Sequence, residues 1–395
     1  MIFVLIFLLL LHHYLLIKYR MEIKLFDYFK DLEDPRKLTH ILHPARNIIY
    51  IAFAAILCGM RAWEDLEDFG NERIEFFEKR LDLSNGIPSH DTFDRFFQII
   101  DSKVFARCFA NWASAVAGEV EGKVVSIDGK TIRCASKMSD DTLPIHILSA
   151  WADENRMVIS QLKLEWQEGK DKQENEIVAI PKLLDNMDIA GATVTIDAIG
   201  TQVDIAEKIV EKKGDYVLGV TSTQPTRYGD IERFFDRNPD LTFRETTDFG
   251  HGRLETRRCT LSTDLSFLAD PGRWKGIAAI AKVHTERLFK RTGEKTEEDR
   301  YFITTLTDAQ KVLHAVRSHW GVESMHWVLD MDFDEDRSAK RAKNAAANFN
   351  AACKIAIALL THDGYDHGKK KLSIRRKMNK AILNQKYLEH LLSML

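Results

Sequence analysis

The hydrophobic period of this chain changes at Gly122, and that change limits what it can fold into. Between residues 47 and about 112, apolar side chains recur at helical spacing, as in Ile48, Ile49, Ile51, Ala52, Ile56 and Leu57. Beyond Gly122, short runs rich in β-branched residues take over, at 123–127 (KVVSI), 145–151 (IHILSAW), 157–164 (MVISQLKL), 192–196 (ATVTI) and 216–220 (YVLGV). Helical patterns at 174–186 and 203–212 separate the later runs. Three strands in succession, then strand and helix in alternation, predict an α/β fold: a mixed sheet with helices packed on it. More strands between 243 and 306, among them 254–261 and 276–283, read as a β-rich insertion, and helical periodicity returns over 308–330 and 344–360.

The expected organisation is therefore an all-helical N-terminal domain (21–120), the first part of an α/β core (121–240), the insertion (241–306), a helical completion of the core (307–365) and a basic tail (366–395). Residues 1–17 are apolar but short of the ~20 a bilayer span requires, and they include His12 and His13. They also lack the basic start and small-residue cleavage site of a signal peptide, so a start assigned too far upstream of Met21 is the expected origin of residues 1–20, which are set aside. The 56 basic and 59 acidic side chains nearly cancel, so any contact with nucleic acid must come from local patches. Cys58, Cys108, Cys134, Cys259 and Cys353 stand far apart without zinc-knuckle spacing, the pattern of reduced thiols in a cytoplasmic protein.

Within the helical region, Gly86-Ile87-Pro88-Ser89 ends one helix and starts another, with Ser89 as the expected N-cap. Phe93, Phe96, Phe97 and Ile100 then form a buried stripe, opposite a polar face of His90, Asp91, Asp94, Arg95 and Gln98. A helix-turn-helix and a plain helical bundle both fit this pattern.

Two acids follow apolar strands directly. Asp128, before Gly129, and Asp197, before Ala198, sit where strands are expected to leave the sheet, a usual place for active sites in α/β proteins. A third carboxylate, Glu323, lies in the 308–330 helix on one face with His326, Trp327 and Asp330, flanked by Trp320 and Val322. Three carboxylates suit a hard divalent cation such as magnesium. Taken singly, each Asp also fits a turn or cap, and His319, Glu323 and His326 also fit a zinc site on a helix, although no further ligand helix is evident and the pattern is not HExxH.

The runs SIDGKTIR, TIDAIGTQ and RSHWGVESMHWVLDMDFDED resemble the three acidic motifs of the DDE transposases, specifically the bacterial H-repeat-associated insertion-sequence group. The resemblance extends through FDYFKDLEDPR, GIPSHDTFDRFF, DYVLGVTSTQ, HGRLETR and SIRRKMNKAILNQKYLEHLL, in that order along nearly the whole chain after Met21. It implies a ribonuclease-H-like mixed sheet flanked by helices, an end-binding helical domain before it and a β-rich insertion ahead of the Glu. It also implies that Asp128, Asp197 and Glu323 hold two Mg2+ or Mn2+ ions about 4 Å apart, with Asp128 bridging both and the other two acids holding one each. The implied function is metal-dependent cleavage and strand transfer of double-stranded DNA at the inverted ends of an insertion sequence, by a cytoplasmic, nucleoid-associated protein that forms a homodimer in the synaptic complex. The alternative is a catalytically inactive, decayed or domesticated relative that only binds DNA.

Candidate DNA contacts are Lys130 and Arg133 after the first acid and His319 on the Glu helix. Arg253 and Arg257 alternate with Glu255 along a strand, a pattern that also fits a cross-strand salt bridge. Lys369, Lys370, Lys371, Arg375 and Arg376 in the tail complete the set, and Trp320 is expected to pack in the core. Three features depart from the group: Thr221, Ser222 and Thr223 replace an expected Lys and Asn before Gln224, the step from Glu323 to His326 is one residue shorter, and Asp330 stands where many relatives carry Lys.

Overall fold

The computed structural model describes residues 24–30, 32–37, 41–133, 144–166, 174–250, 252–340, 342–368 and 371–395. Residues 1–20, Cys134, Lys369 and Lys370 lie outside them. Among the described residues, no helix is long and apolar enough to cross a membrane.

Among the described residues, six helices come first: α1 (Leu25–Phe29), α2 (Ala45–Leu57), α3 (Trp63–Glu72), α4 (Ile74–Glu78), α5 (His90–Ile99) and α6 (Ser102–Ala117). Helix α2 is buried nearly all round, which explains its almost continuous apolar sequence. The stripe of Phe93, Phe96, Phe97 and Ile100 on α5 is buried as expected. Ser89 occupies the N-cap position, but its hydroxyl meets that of Thr92 at 3.1 Å instead of a backbone N–H. The carboxylate of Glu67 takes the role instead, accepting from the His90 backbone N–H at 2.7 Å.

The sheet begins with β1 (Val124–Ile132), β2 (Ile145–Ala152) and β3 (Met157–Lys163), an antiparallel meander. Helix α7 (Glu176–Asp185) then crosses to β4 (Thr193–Ile196), and α8 (Val203–Glu211) crosses to β5 (Asp215–Val220). Strand β4 pairs in parallel with β1 and β5, as such helical crossovers require. After α9 (Pro225–Arg237) come β6 (Phe243–Gly250), β7 (Arg253–Ser262), β8 (Ala279–Phe289) and β9 (Lys295–Thr304). The nine strands form one sheet in the order β3-β2-β1-β4-β5-β9-β8-β7-β6. The first five have ribonuclease-H-like order and direction, and the insertion strands continue the same sheet because β9 pairs antiparallel with β5.

Helix α10 (Ala309–Asp332) packs across β1 and β4 and reaches the insertion strands β6 and β7. Gly321 allows this close approach, since a Cβ there would fall on the Trp151 indole and the Asp153 carboxylate. Helix α11 (Ala345–Thr361) is buried along its length between β2, β3 and the N-terminal helices. One hydrophobic core consequently runs from the helical region through the sheet. The chain finishes with α12 (Ile374–Leu383) and α13 (Gln385–Leu392), and α13 buries Tyr387, Leu388, Leu391 and Leu392. Backbone bonds from Leu25 and Phe26 to Met394 and Leu395 bring the two ends of the described chain together.

Candidate active site

The site is set by strand register. The parallel ladder of β1 and β4 ends at the pair Ile127 and Ile196, so Asp128 and Asp197 are the next residues on adjacent strands. Alternation aims them at the same face as Ser126 and Thr195, whose hydroxyls lie 3.0 Å apart beneath α10. Strand β1 does not stop at Asp128, as the sequence suggested; it runs to Ile132, because β2 keeps pairing with it after β4 has ended. Asp197 does end its strand. Its Oδ1 accepts from the backbone N–H groups of Ile199 and Gly200 at 3.1 and 3.4 Å, so it is a cap as well as a candidate ligand.

Helix α10 carries His319, Glu323 and His326 over these strands. His319 Nδ1 lies 2.9 Å from Thr195 Oγ1, which places the helix in register with β4. His326 Nδ1 lies 3.3 Å from Asp128 Oδ2. Asp197, Glu323, Trp320, Arg300, Thr195 and Tyr228 line a cavity of about 580 Å³; Asp128 is not among the lining residues. The three carboxylates are near one another but not gathered as for a bound ion. Among the described residues, the side chains whose ligand atoms all fall within 4.8 Å are His284, Glu286 and Glu297 on the insertion. There Lys295 already pairs with both glutamates, at 2.8 and 2.9 Å, and Asp299 with the histidine at 2.7 Å.

Electrostatics separate the acids. For Asp128, burial raises the pKa, but the hydrogen bond and charge of His326, aided by His319, hold it below the usual carboxylate range. Asp197 and Glu323 are open to the cavity, yet enough protein surrounds them that desolvation lifts both, and the Asp128 charge adds to the shift of each. Burial holds His319 below its ordinary range, against the charge of Asp128. His319 is thus a part of the cavity wall whose Nδ1 is engaged with the Thr195 hydroxyl.

The other expected DNA contacts divide. The ammonium of Lys130 donates to Asp330 Oδ1 at 2.6 Å and has Glu335 and Asp336 carboxylates at 3.3 Å, so three acids surround it. Arg133 is exposed and points its guanidinium at Asp336, 3.6 Å away. Arg257 is buried and pairs with Glu255 at 2.8 Å and Asp248 at 2.7 Å, while Arg253 is half-buried, 3.2 Å from Glu255. Lys371, Arg375 and Arg376 are exposed, whereas Lys377 on the same helix is buried beside Asp363. Trp320 is not a core residue. The guanidinium groups of Arg253, Arg257, Arg287 and Arg317 surround it, 5.5–5.7 Å from its ring centroid.

Some residues were missed from the sequence. Arg287 joins the cluster through the pairing of β7 with β8, which sets it opposite Glu255. Arg317 stands one helical turn before Trp320, a spacing that could have been read directly. His146 and Glu176 lie against Gly129 on the sheet face away from α10, and only the fold brings them there.

A ribonuclease-H-like sheet with two neighbouring aspartates and a glutamate on the covering helix is the architecture of a DDE nuclease. Residues 119–359 match the family model described as the transposase DDE domain, and residues 26–113 match its DDE_Tnp_1-associated region. The chain is 35% identical over 379 residues to YhhI of Escherichia coli (strain K12), which is named with the H repeat-associated transposases; the match covers 94% of this chain and 98% of that one. It is also 35% identical over 379 residues to YncI of Escherichia coli O157:H7, named as a transposase, covering 93% and 94%. Among solved structures, a piggyBac transposase synaptic complex with hairpin DNA is 13% identical with a TM-score of 0.43, over 93% of this chain and 78% of that one. The chain belongs to the DDE transposase family.

Proposed function

We propose that the protein cuts and joins DNA at the inverted ends of its own insertion sequence, using divalent cations held by Asp128, Asp197 and Glu323. The observation that carries this reading is the register of β1 and β4, which puts two acids side by side under the helix that bears the third. The donor set fits hard cations: all ligands are carboxylates, and the charge of Asp128 disfavours ionisation of Asp197 and Glu323, a repulsion that a cation would relieve. Bound there, such ions would activate the attacking oxygen and stabilise the leaving one.

The remaining residues would bind and orient the duplex. Arg300 and Trp320 line the cavity beside Asp197 and Glu323, and the arginines around Trp320 form a positive rim next to the acids. Arg133, Lys371, Arg375 and Arg376 are further candidate phosphate contacts, as are Lys369 and Lys370. His326 would keep Asp128 ionised, and the hydrogen bond between His319 and Thr195 would fix the height of Glu323 above the sheet.

The test is the purified chain on duplexes carrying the repeats that flank its reading frame. Magnesium-dependent nicking at the repeat boundary is expected, lost in Asp128→Asn with end binding retained. End binding with no cleavage by the parent chain would instead make it a DNA-binding relative without catalysis.

A further inference from the structure

On the sheet face opposite α10, a polar trio abuts the strand that carries Asp128. Thr131 Oγ1 lies 2.8 Å from His146 Nδ1, and His146 Nε2 lies 2.6 Å from Glu176 Oε1. Thr131 and His146 are direct neighbours in the β1–β2 ladder, so their contact follows from the sheet register. Glu176 comes from the first turn of α7, whose start is fixed by Asn175 capping the Val178 N–H at 3.1 Å. Glu176 and His146 are both largely enclosed, with side-chain exposures of 18% and 17%.

Gly129 makes this arrangement possible. Its backbone directly follows Asp128, and a Cβ at this position would land on both Glu176 Oε1 and His146 Nε2. Every other residue type would push the carboxylate away from the strand. The glycine thus brings a charged group to the end of the β1–β4 ladder, where Asp197 leaves the sheet. Helix α7, which carries Glu176, also packs against the short helical turn 198–200 that follows Asp197. A carboxylate at a helix start is ordinary in itself. One enclosed against a notched strand directly after Asp128, and tethered there by a histidine, is held where a hard cation on the neighbouring acids could take it as an oxygen ligand.

We propose that Glu176 is a fourth carboxylate of the cation site, placed beside Asp197 by the Thr131–His146 pair and admitted by Gly129. The proposal rests on the cation-site reading above. His146 is a positioning residue, because it reaches the site only through Glu176.

The experiment measures Mn2+ binding to the full chain by electron paramagnetic resonance, without DNA, in the parent and in Asp197→Asn, Glu176→Gln, His146→Ala and Gly129→Ala. Glu176→Gln keeps the shape and a hydrogen bond to His146, so its melting temperature is expected to match the parent while Mn2+ affinity falls about tenfold or more. His146→Ala and Gly129→Ala are expected to weaken binding in the same direction. If Asp197→Asn loses affinity while Glu176→Gln binds like the parent, Glu176 is a helix-start residue only and the proposal is overturned. If neither variant changes affinity, the cation-site reading falls and takes this one with it.

Discussion

The imidazole of His326 rests against Asp128, with Nδ1 3.3 Å from Oδ2, while its Nε2 is buried without a hydrogen-bond partner. The contact is made to one oxygen of the carboxylate, Oδ2. Groups that orient a metal ligand in this way commonly change affinity or activity by about ten- to hundredfold when removed. His326→Ala is therefore expected to raise the magnesium concentration needed for half-maximal nicking by about tenfold, with a smaller effect on the rate at saturating magnesium. His326→Asn can offer an N–H near the Nδ1 position and should recover part of the loss. A magnesium titration of all three proteins measures this, and an unchanged half-maximum in the alanine variant would remove His326 from the site.

Lys130 gives a prediction that runs against its place in the sequence. A lysine two residues after the first acid suggests a phosphate contact, but Asp330, Glu335 and Asp336 surround this one. Removing it would leave Glu335 buried beside two partly exposed acids. Allowing for solvent screening of those two, Lys130→Met is expected to cost about 2 kcal/mol of stability. The dependence of DNA affinity on salt should stay as in the parent, since no phosphate contact is lost. Denaturant unfolding and a salt series of binding isotherms report the two effects separately.

The sequence showed the elements more readily than their relationships. Periodicity located the helix bearing Glu323 to within two residues at each end, because its buried side chains recur on one stripe. It also placed Asp128 and Asp197 after buried strands, but not the pairing of Ile127 with Ile196 that makes them neighbours, since register depends on partners far along the chain. For the same reason the seam between β5 and β9 was hidden, and the insertion read as a separate unit when it extends the core sheet. The tail was read for its charge alone. Its apolar residues at helical spacing, Met378 and Ala381, then Tyr387, Leu388 and Leu391, were the signal for the two packed helices found there. The surroundings of Lys130 and Trp320 were hidden because they come largely from elements more than 50 residues away or from the insertion strands.

Glu255 holds the arginine cluster together. It is buried, and both of its oxygens are engaged, by Arg287 at 3.1 Å on one side and by Arg253 and Arg257 at 3.2 and 2.8 Å on the other. Glu255→Gln would leave the buried Arg257 with Asp248 as its remaining acidic partner. A destabilisation of about 3 kcal/mol is expected, in the range for breaking a buried ion pair. Arg317→Ala removes an exposed member of the same ring and should change stability little, while lowering the salt slope of DNA binding by about one contact. Equal stability losses in both variants would show that the ring is purely structural.

Lys354 provides a pH dependence that does not involve the candidate site. Its ammonium nitrogen lies fully inside the protein, 2.8 Å from Ser149 Oγ and 3.0 Å from Gln161 Oε1, and burial brings its pKa down to about 7. In the unfolded chain the group titrates near 10.4. Between those values the unfolded state holds a proton that the folded state has released, so stability rises with pH across this window. Below about pH 7 both states are protonated and the full cost of a buried charge is present. Lys354→Met removes this titration at the expense of the two hydrogen bonds. Stability measured by denaturant unfolding from pH 7 to pH 10 should therefore rise less steeply in the variant, by about one proton per molecule in linkage slope. Parallel slopes for the parent and the variant would mean that Lys354 keeps its ordinary pKa despite its burial.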